Sequence, residues 1–199
     1  MTFALTGFHQ GNYLNATDPD TSNGVCVALC DLWLESLFKA PSAAPRHRLQ
    51  ALAVDFGRAE NHQRRYGQLR AKLGRSDARR LMGARVGIDF EEQTFVDVTP
   101  HRGRAGMLQK ITDDLRAPGA AATWSMRFAG GGGHAIAGFC RIEPQPYGLD
   151  RKIHIFDPNI GEYVTAYGGC AAIVTDLLGK IPLYASTVIF HRTTAADDR

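Results

Sequence analysis

The sequence has few cysteines and no long hydrophobic run, and both shortages limit what the chain can be. Its four cysteines are irregularly spaced and include no Cys-x-x-Cys pair, which argues against a disulfide-stapled small fold and against a structural zinc site. No segment approaches the roughly 20 apolar residues that a membrane-spanning helix needs. The N-terminus lacks the basic and apolar regions of a Sec signal peptide. We therefore expect reduced thiols in a soluble chain that is cytoplasmic unless it is secreted by another route.

Neither sign of charge dominates the sequence, but the positive charges are concentrated in one segment. The formal net charge of +3 is too small to indicate nucleic-acid binding, and no nucleic-acid partner is expected. Residues 46–85 carry eleven lysines and arginines against three acids, whereas the rest of the chain carries twelve against seventeen. We expect this basic region to steer an acidic or membrane-associated partner, although such a segment is more often only a solvated surface.

The length and composition predict one domain over residues 1–199. With 199 residues and 44% hydrophobic content, the chain can bury one sizeable core. Residues 1–20 are rich in Asn, Asp and Thr and predict a loosely held arm. Apolar periodicity predicts helices throughout the basic region, with a break at Gly57. The polar end, residues 193–199, is expected to fray.

A buried helix is predicted to begin beside Cys26. Apolar residues recur at helical spacing from Val25 to Leu37, and Pro41 ends the pattern. Ser22 and Asn23 precede it and are residue types that accept hydrogen bonds from free N–H groups at a helix start. The positive end of a helix dipole favours a thiolate, which is the nucleophilic form of cysteine. Cys26 is therefore a candidate nucleophile, whereas a small buried core residue is the ordinary alternative.

The second half of the chain predicts an antiparallel sheet, so the expected fold class is α+β, with N-terminal helices packed on a C-terminal sheet. Short β-branched and aromatic runs separated by glycine and proline follow residue 120. His134 begins one run directly after four glycines, and Asp157 ends the next. A hairpin centred on Gln145 and Pro146 would place these two side chains opposite each other, about 4.5 to 5.5 Å apart at Cβ. His154 has the opposite strand parity and is expected to face the other way.

Three motifs resemble those of the YopT-like cysteine proteases, a papain-like family that includes effectors of pathogenic and symbiotic bacteria. They are NGVCVALCDLWL at residues 23–34, GGGGHAIAGF at 130–139 and IFDPNIGEYV at 155–164. The resemblance implies a papain-like α+β fold, with Cys26 as nucleophile, His134 as general base and acid, and Asp157 as the residue that orients the imidazole. It also implies an endopeptidase that cleaves a specific host or partner protein, with secretion into a host cell and no cofactor.

The side-chain donor of the oxyanion hole is less defined by the sequence. Papain-like enzymes supplement the N–H of the nucleophile with a donor from a residue a few positions upstream, and no glutamine stands there. Asn23 is the favoured candidate and Asn15 the alternative, whereas Asp20 could donate only if protonated. If Asn23 is used to cap the helix, the donor comes from elsewhere.

Other functions are compatible with the same residues. A deamidase, a transglutaminase and a peptidoglycan amidase can all use a cysteine, histidine and aspartate triad through a thioester. A non-enzymatic module that binds through the basic region is a further alternative. A metal site built from Cys26, His134 and Asp157 is not expected, because no additional ligand spacing accompanies them.

Overall fold

The computed structural model describes residues 3–14, 17–18, 20–21, 24–97, 103–145 and 148–197. The helices are α1 (Cys26–Lys39), α2 (Pro45–Val54), α3 (Phe56–Leu73), α4 (Arg75–Ala84), α5 (Gly103–Asp114) and α6 (Cys170–Lys180). The strands are β1 (Ala4–Gly7), β2 (Ile88–Asp97), β3 (Ala121–Phe128), β4 (Gly133–Gln145), β5 (Gly148–Asp157), β6 (Gly161–Ala166) and β7 (Thr187–Asp197). Short 3₁₀ segments lie at Gln10–Asn12, Tyr167–Gly169 and Pro182–Ser186.

The strands form an antiparallel sheet in the order β1-β6-β5-β4-β3-β7-β2, which confirms the α+β class. Both edge strands come from earlier in the chain than the predicted sheet. Residues 4–7 of the expected arm pair with β6, and residues 193–197 of the expected frayed tail pair with β2, so both predictions are wrong there. Pairing satisfies the backbone hydrogen-bonding groups of these segments. Their polar composition had indicated loops rather than strands.

The sheet separates two apolar clusters. On one face, α1 and α2 pack on alternate residues of β4, among them Ala135, Ala137 and Phe139. On the other, α5 and α6 pack on Ile136 and Cys140. This alternation is the pattern of a strand buried on both faces. Among the described residues, no helix is both long and apolar enough to cross a membrane.

The basic region is helical, as predicted, and forms α2, α3 and α4. The break between α2 and α3 is at Asp55 and not at Gly57, because Phe56 already packs into the core as the first residue of α3. Two arginines of this region are buried in ion pairs. Arg48 lies 2.5 Å from Glu162, and Arg79 lies 2.7 Å from Asp31. These buried ion pairs therefore hold α2 and α4 against the core. The exposed cations Arg65, Arg70 and Lys72 lie on the outer surface of α3.

The register of the β4–β5 hairpin differs from the predicted one by two residues. Gln145 pairs with Gly148, so the centre of the hairpin lies one position later than expected. Extending this register places Asp157 opposite Ile136 and diagonal to His134. Because a shift of two residues keeps every side chain on its face, the predicted neighbours still lie on the same side of the sheet.

Candidate active site

Cys26 is the first residue of α1, at the place where the free N–H groups of the helix are oriented towards a cleft. Gly24 precedes it with a φ of 110°, a conformation that side chains rarely tolerate. The start of the helix is capped by two glutamines from other segments. The Val25 N–H donates to Gln10 Oε1 at 2.9 Å, and the Ala28 N–H donates to Gln63 Oε1 at 3.2 Å. Ser22 and Asn23, the predicted caps, lie outside the described residues.

His134 follows a glycine turn at the start of β4. Gly131 and Gly132 have φ values of 88° and 73°, which confirms that this loop uses backbone conformations that favour glycine. The imidazole is buried, and its Nε2 lies 3.0 Å from Oδ1 of Asp157. Asp157 therefore holds one side of the imidazole ring through Nε2.

Asp157 is fully buried at the end of β5 and has three hydrogen-bond donors around it. His134 and the backbone N–H of Asn159 donate to Oδ1, the latter at 2.8 Å, and the Tyr184 hydroxyl donates to Oδ2 at 2.5 Å. A carboxylate out of contact with water is stable only when donors surround it in this way. The site thus holds a fixed negative charge behind the imidazole.

The Cys26 side chain is close enough to the imidazole of His134 to contribute to its pKa by hydrogen bonding and by charge. Burial alone would lower the pKa of His134, but the Asp157 carboxylate and the Cys26 contact raise it from 6.5 to about 10. The imidazole is consequently protonated at neutral pH, next to a sulfur at the positive end of a helix.

The cleft has a volume of about 290 Å³ and two dissimilar walls. One wall comes from the N-terminal segment, including His9, Gln10 and Gly11. The other is mainly apolar and consists of Phe128, Ile181, Leu183 and Tyr184. Cys26 and His134 lie between the walls, so a chain that enters the cleft meets the sulfur directly.

Two residues of the site carry no signal that the sequence analysis could use. Gln10 lines the cleft and joins the start of α1 to the loop after β5, because its Nε2 also donates to Asn159 Oδ1 at 2.8 Å. Tyr184 lies in the connection between α6 and β7, far along the chain from the three motifs. Neither residue stands in a motif with a recognisable spacing. The tertiary fold brings Tyr184 to Asp157 and Gln10 to the start of α1.

The other candidates considered from the sequence differ in where the structure places them. Asp20 is exposed and its carboxylate lies 3.6 Å from Arg64, while Asn15 and the favoured oxyanion candidate Asn23 are outside the described residues. His154 faces the opposite side of the sheet, as predicted, where it contacts Glu162 at 2.8 Å. The other three cysteines are buried in the core: Cys30, Cys140 and Cys170. In the described ranges, no three side chains of histidine, cysteine, aspartate or glutamate are arranged to hold a metal ion.

An α+β fold that brings a helix-start cysteine to a histidine and a buried aspartate defines a cysteine protease-like protein with a papain-like fold. The family model Peptidase_C58, described as Yersinia/Haemophilus virulence surface antigen, matches residues 7–167, and the chain belongs to this family. The match confirms the resemblance to YopT-like proteases that the three motifs indicated.

Two solved structures are similar to the chain. The Pseudomonas avirulence protein AvrPphB has a TM-score of 0.70 at 20% sequence identity, covering 94% of this chain and 99% of its own. PatoxP, a cysteine protease-like domain of the Photorhabdus asymbiotica toxin PaTox, has a TM-score of 0.38 at 10% identity, over 96% of this chain and 53% of its own. No curated protein shows significant sequence similarity to the chain. The likeness to AvrPphB supports the fold.

Proposed function

We propose that the protein is a cysteine endopeptidase, acting as a bacterial effector, in which Cys26 is the nucleophile, His134 the general base and acid, and Asp157 the orienting carboxylate. The observation that carries this proposal is the position of His134, which hydrogen-bonds to Asp157 and is close enough to Cys26 for that side chain to contribute to its pKa. A nucleophile, a base and a group that orients the base are the three parts that thiol acyl transfer requires.

The reaction follows from this geometry. The proton of the Cys26 thiol resides on His134, and the thiolate attacks the carbonyl carbon of the scissile peptide, moving the C=O π electrons onto oxygen. When the C–N bond breaks, the leaving amine takes the proton from His134 and a thioester remains on Cys26. His134, now neutral, removes a proton from water, which attacks the thioester and releases the thiolate and the acid.

The negative charge that develops on the carbonyl oxygen needs donors. The Cys26 N–H is one of the first helical N–H groups, which have no acceptor within the helix. It lies at the positive end of the dipole of α1, and we assign it as one donor of the oxyanion hole. Asn23 remains the proposed side-chain donor.

The proposed substrate is a specific host protein, recognised beyond the cleft. The exposed cationic surface of α3 suits an acidic or membrane-associated protein, because opposite charges accelerate encounter. Secretion without a Sec signal, into a host cell, is part of the same proposal and is supported by membership in a virulence family.

Alkylation with iodoacetamide at about pH 6 tests the proposed thiolate. We expect Cys26 to react much faster than Cys30, Cys140 and Cys170, since its sulfur lies beside the imidazolium of His134 and at the positive end of a helix. His134→Ala should abolish the difference. Equal labelling of Cys26 and a surface cysteine introduced at Ser76 would contradict the proposal.

New protein N-termini in host cells that express the wild type, but not Cys26→Ala, would identify the substrate. Cys30→Ala, one helical turn further along α1, is the matched control and should retain cleavage. Release of ammonia without chain scission would indicate a deamidase instead. Binding that persists in Cys26→Ala, with neither product formed by the wild type, would indicate a binding module.

A further inference from the structure

Tyr184 is held in a fixed position beside the proposed triad. Its side chain is 2% exposed, within the 3₁₀ segment that joins α6 to β7. The Tyr184 N–H donates to the Ile181 carbonyl at 3.0 Å, and the Thr187 hydroxyl donates to the Tyr184 carbonyl at 2.8 Å. The ring stacks on Phe128 with centroids 6.2 Å apart. Its backbone and ring therefore have little freedom to move away from the cleft.

The Tyr184 hydroxyl completes the environment of Asp157. It donates to Oδ2 at 2.5 Å, whereas His134 approaches Oδ1 at 3.0 Å. A rotation of the carboxylate about its Cα–Cβ or Cβ–Cγ bond would break both contacts together. Burial and the neighbouring Asp157 raise the pKa of the Tyr184 phenol, so it stays a neutral donor throughout the working range.

The ring of Tyr184 also lies against the imidazole of His134. The two centroids are 5.5 Å apart and the planes differ by 22°, within the distance at which an aromatic face attracts a cation. The titratable groups near enough to interact electrostatically with Asp157 or His134 include Cys26 and Cys30 from α1, Tyr163 from β6 and Tyr184 itself. A neutral aromatic ring of the apolar cleft wall therefore lies directly against the imidazole of the charged pair.

We propose, on the basis of the proposed function, that Tyr184 is a positioning residue: its hydroxyl fixes the Asp157 carboxylate while its ring covers the His134 imidazole. Without the hydroxyl, Asp157 orients the imidazolium less well, and Cys26 reacts more slowly with an electrophile. The residue acts through Asp157 and His134.

The test measures the rate of Cys26 alkylation by iodoacetamide from about pH 5 to about pH 9 in the wild type and Tyr184→Phe. We expect Tyr184→Phe to react about tenfold more slowly at the acidic end, the loss typical of one hydrogen bond to a charged group. Tyr163→Phe is the matched control, because the Tyr163 hydroxyl is also buried and donates to a carboxylate, that of Asp176, at 2.7 Å. It should retain the wild-type profile.

A double-mutant cycle separates positioning from general loss of structure. Once Asp157→Asn has removed the carboxylate, adding Tyr184→Phe should slow alkylation no further. A wild-type profile in Tyr184→Phe, or independent losses in the cycle, would overturn the inference while leaving the proposed function intact. Wild-type Cys26 that reacts no faster than the other cysteines would overturn both. If Tyr184→Phe does not fold, Tyr184→Met, which fills the space without a donor, replaces it in the same comparison.

Discussion

At the scale of single residues, the charge of Asp157 determines the protonation of His134. The buried carboxylate and the Cys26 contact outweigh desolvation and raise the pKa of His134 to about 10. As the pH rises through this value, the imidazolium loses the proton that the leaving amine needs. The alkaline limit of the proposed activity should therefore lie near the pKa of His134.

Asp157→Asn should move this alkaline limit to lower pH and reduce kcat by roughly 100-fold or more, because the imidazolium loses its negative partner and the ring its orientation. The measurement is the pH dependence of cleavage of a substrate identified from its new N-terminus. Asp176→Asn, which alters a carboxylate on α6 outside the cleft lining, should behave like the wild type. An unchanged alkaline limit in Asp157→Asn would show that another group sets it.

The residues of the site differ in how far the sequence could predict them. Cys26, His134 and Asp157 stand in motifs whose local structure, a helix start and two strand ends, is encoded nearby. Gln10 and Tyr184 are ordinary residues in a polar segment and an irregular connection. Their roles depend on contacts at sequence separations of 15 and 27 residues, which no local pattern specifies.

At the scale of elements, the N-terminal segment joins two parts of the site. The Gln10 N–H donates to the Pro158 carbonyl at 2.7 Å, and the Gln10 side chain bridges Val25 and Asn159. The loop that follows Asp157 is thereby connected to the start of α1. The distance between Cys26 and His134 consequently depends on a segment that precedes both.

Gln10→Ala should reduce kcat about tenfold and lower the free energy of unfolding by about 1–3 kcal/mol, because it removes two partly buried hydrogen bonds. Cleavage kinetics and urea unfolding measure the two effects. Gln109→Ala, which removes an exposed hydrogen bond to Asp113 on α5, is the control and should change neither. A loss of stability with wild-type kcat would limit Gln10 to a structural role.

The ion pair between Arg48 and Glu162 joins α2 to β6 within the core. Glu162 also accepts from the Trp33 indole at 2.9 Å, and its two nearest cationic or imidazole neighbours are Arg48 and His154. Burial alone would raise the pKa of Glu162, but these hydrogen bonds hold it below its ordinary value. Glu162 is thus a structural residue, although it belongs to one of the three motifs.

Glu162→Ala should lower the free energy of unfolding by about 3–5 kcal/mol, since it leaves a buried arginine without its partner. Denaturant unfolding measures the loss. Removing the exposed partner of an ion pair, as in Asp77→Ala beside Arg80, should cost less than about 1 kcal/mol. Equal losses in the two variants would contradict the assignment.

The positions of helices and strands along the chain were predicted more accurately than the pairing of the strands. Periodicity placed α1, α6 and the central strands, because buried faces repeat along helices and strands. The hairpin register was wrong by two residues, since it depends on the turn. The edge strand β1 and the C-terminal end of β7 were missed because their polar residues resemble loops. His134 and Asp157 still lie on the same face of the sheet, because the register error was an even number of residues.

At the scale of the whole molecule, the positive charge is divided between the core and the surface. Arg48 and Arg79 are buried in ion pairs, whereas Arg65, Arg70 and Lys72 lie on the exposed side of α3. Composition showed the excess of charge but could not assign each arginine to one of these roles. Of these two groups, only the exposed Arg65, Arg70 and Lys72 can attract a charged partner over a distance.

The double variant Arg65→Glu/Lys72→Glu should bind a fluorescent oligoglutamate peptide at least about tenfold more weakly than the wild type, because reversing two charges makes the surface more negative. Fluorescence anisotropy at low and high salt is the measurement, and the wild-type affinity should fall as salt screens the surface. Arg116→Glu/Arg127→Glu, with the same change of charge elsewhere, is the control. Equal weakening in both variants would indicate a response to net charge.

The edge strand β1 and the cleft wall at residues 9–11 belong to one continuous segment. A deletion that reaches Gln10 would remove a sheet edge, a helix cap and part of the cleft wall together. Loss of a host phenotype after such a deletion therefore could not be attributed to failed export alone. Delivery is better studied with point substitutions at exposed positions of this segment, compared in each case with the reactivity of Cys26.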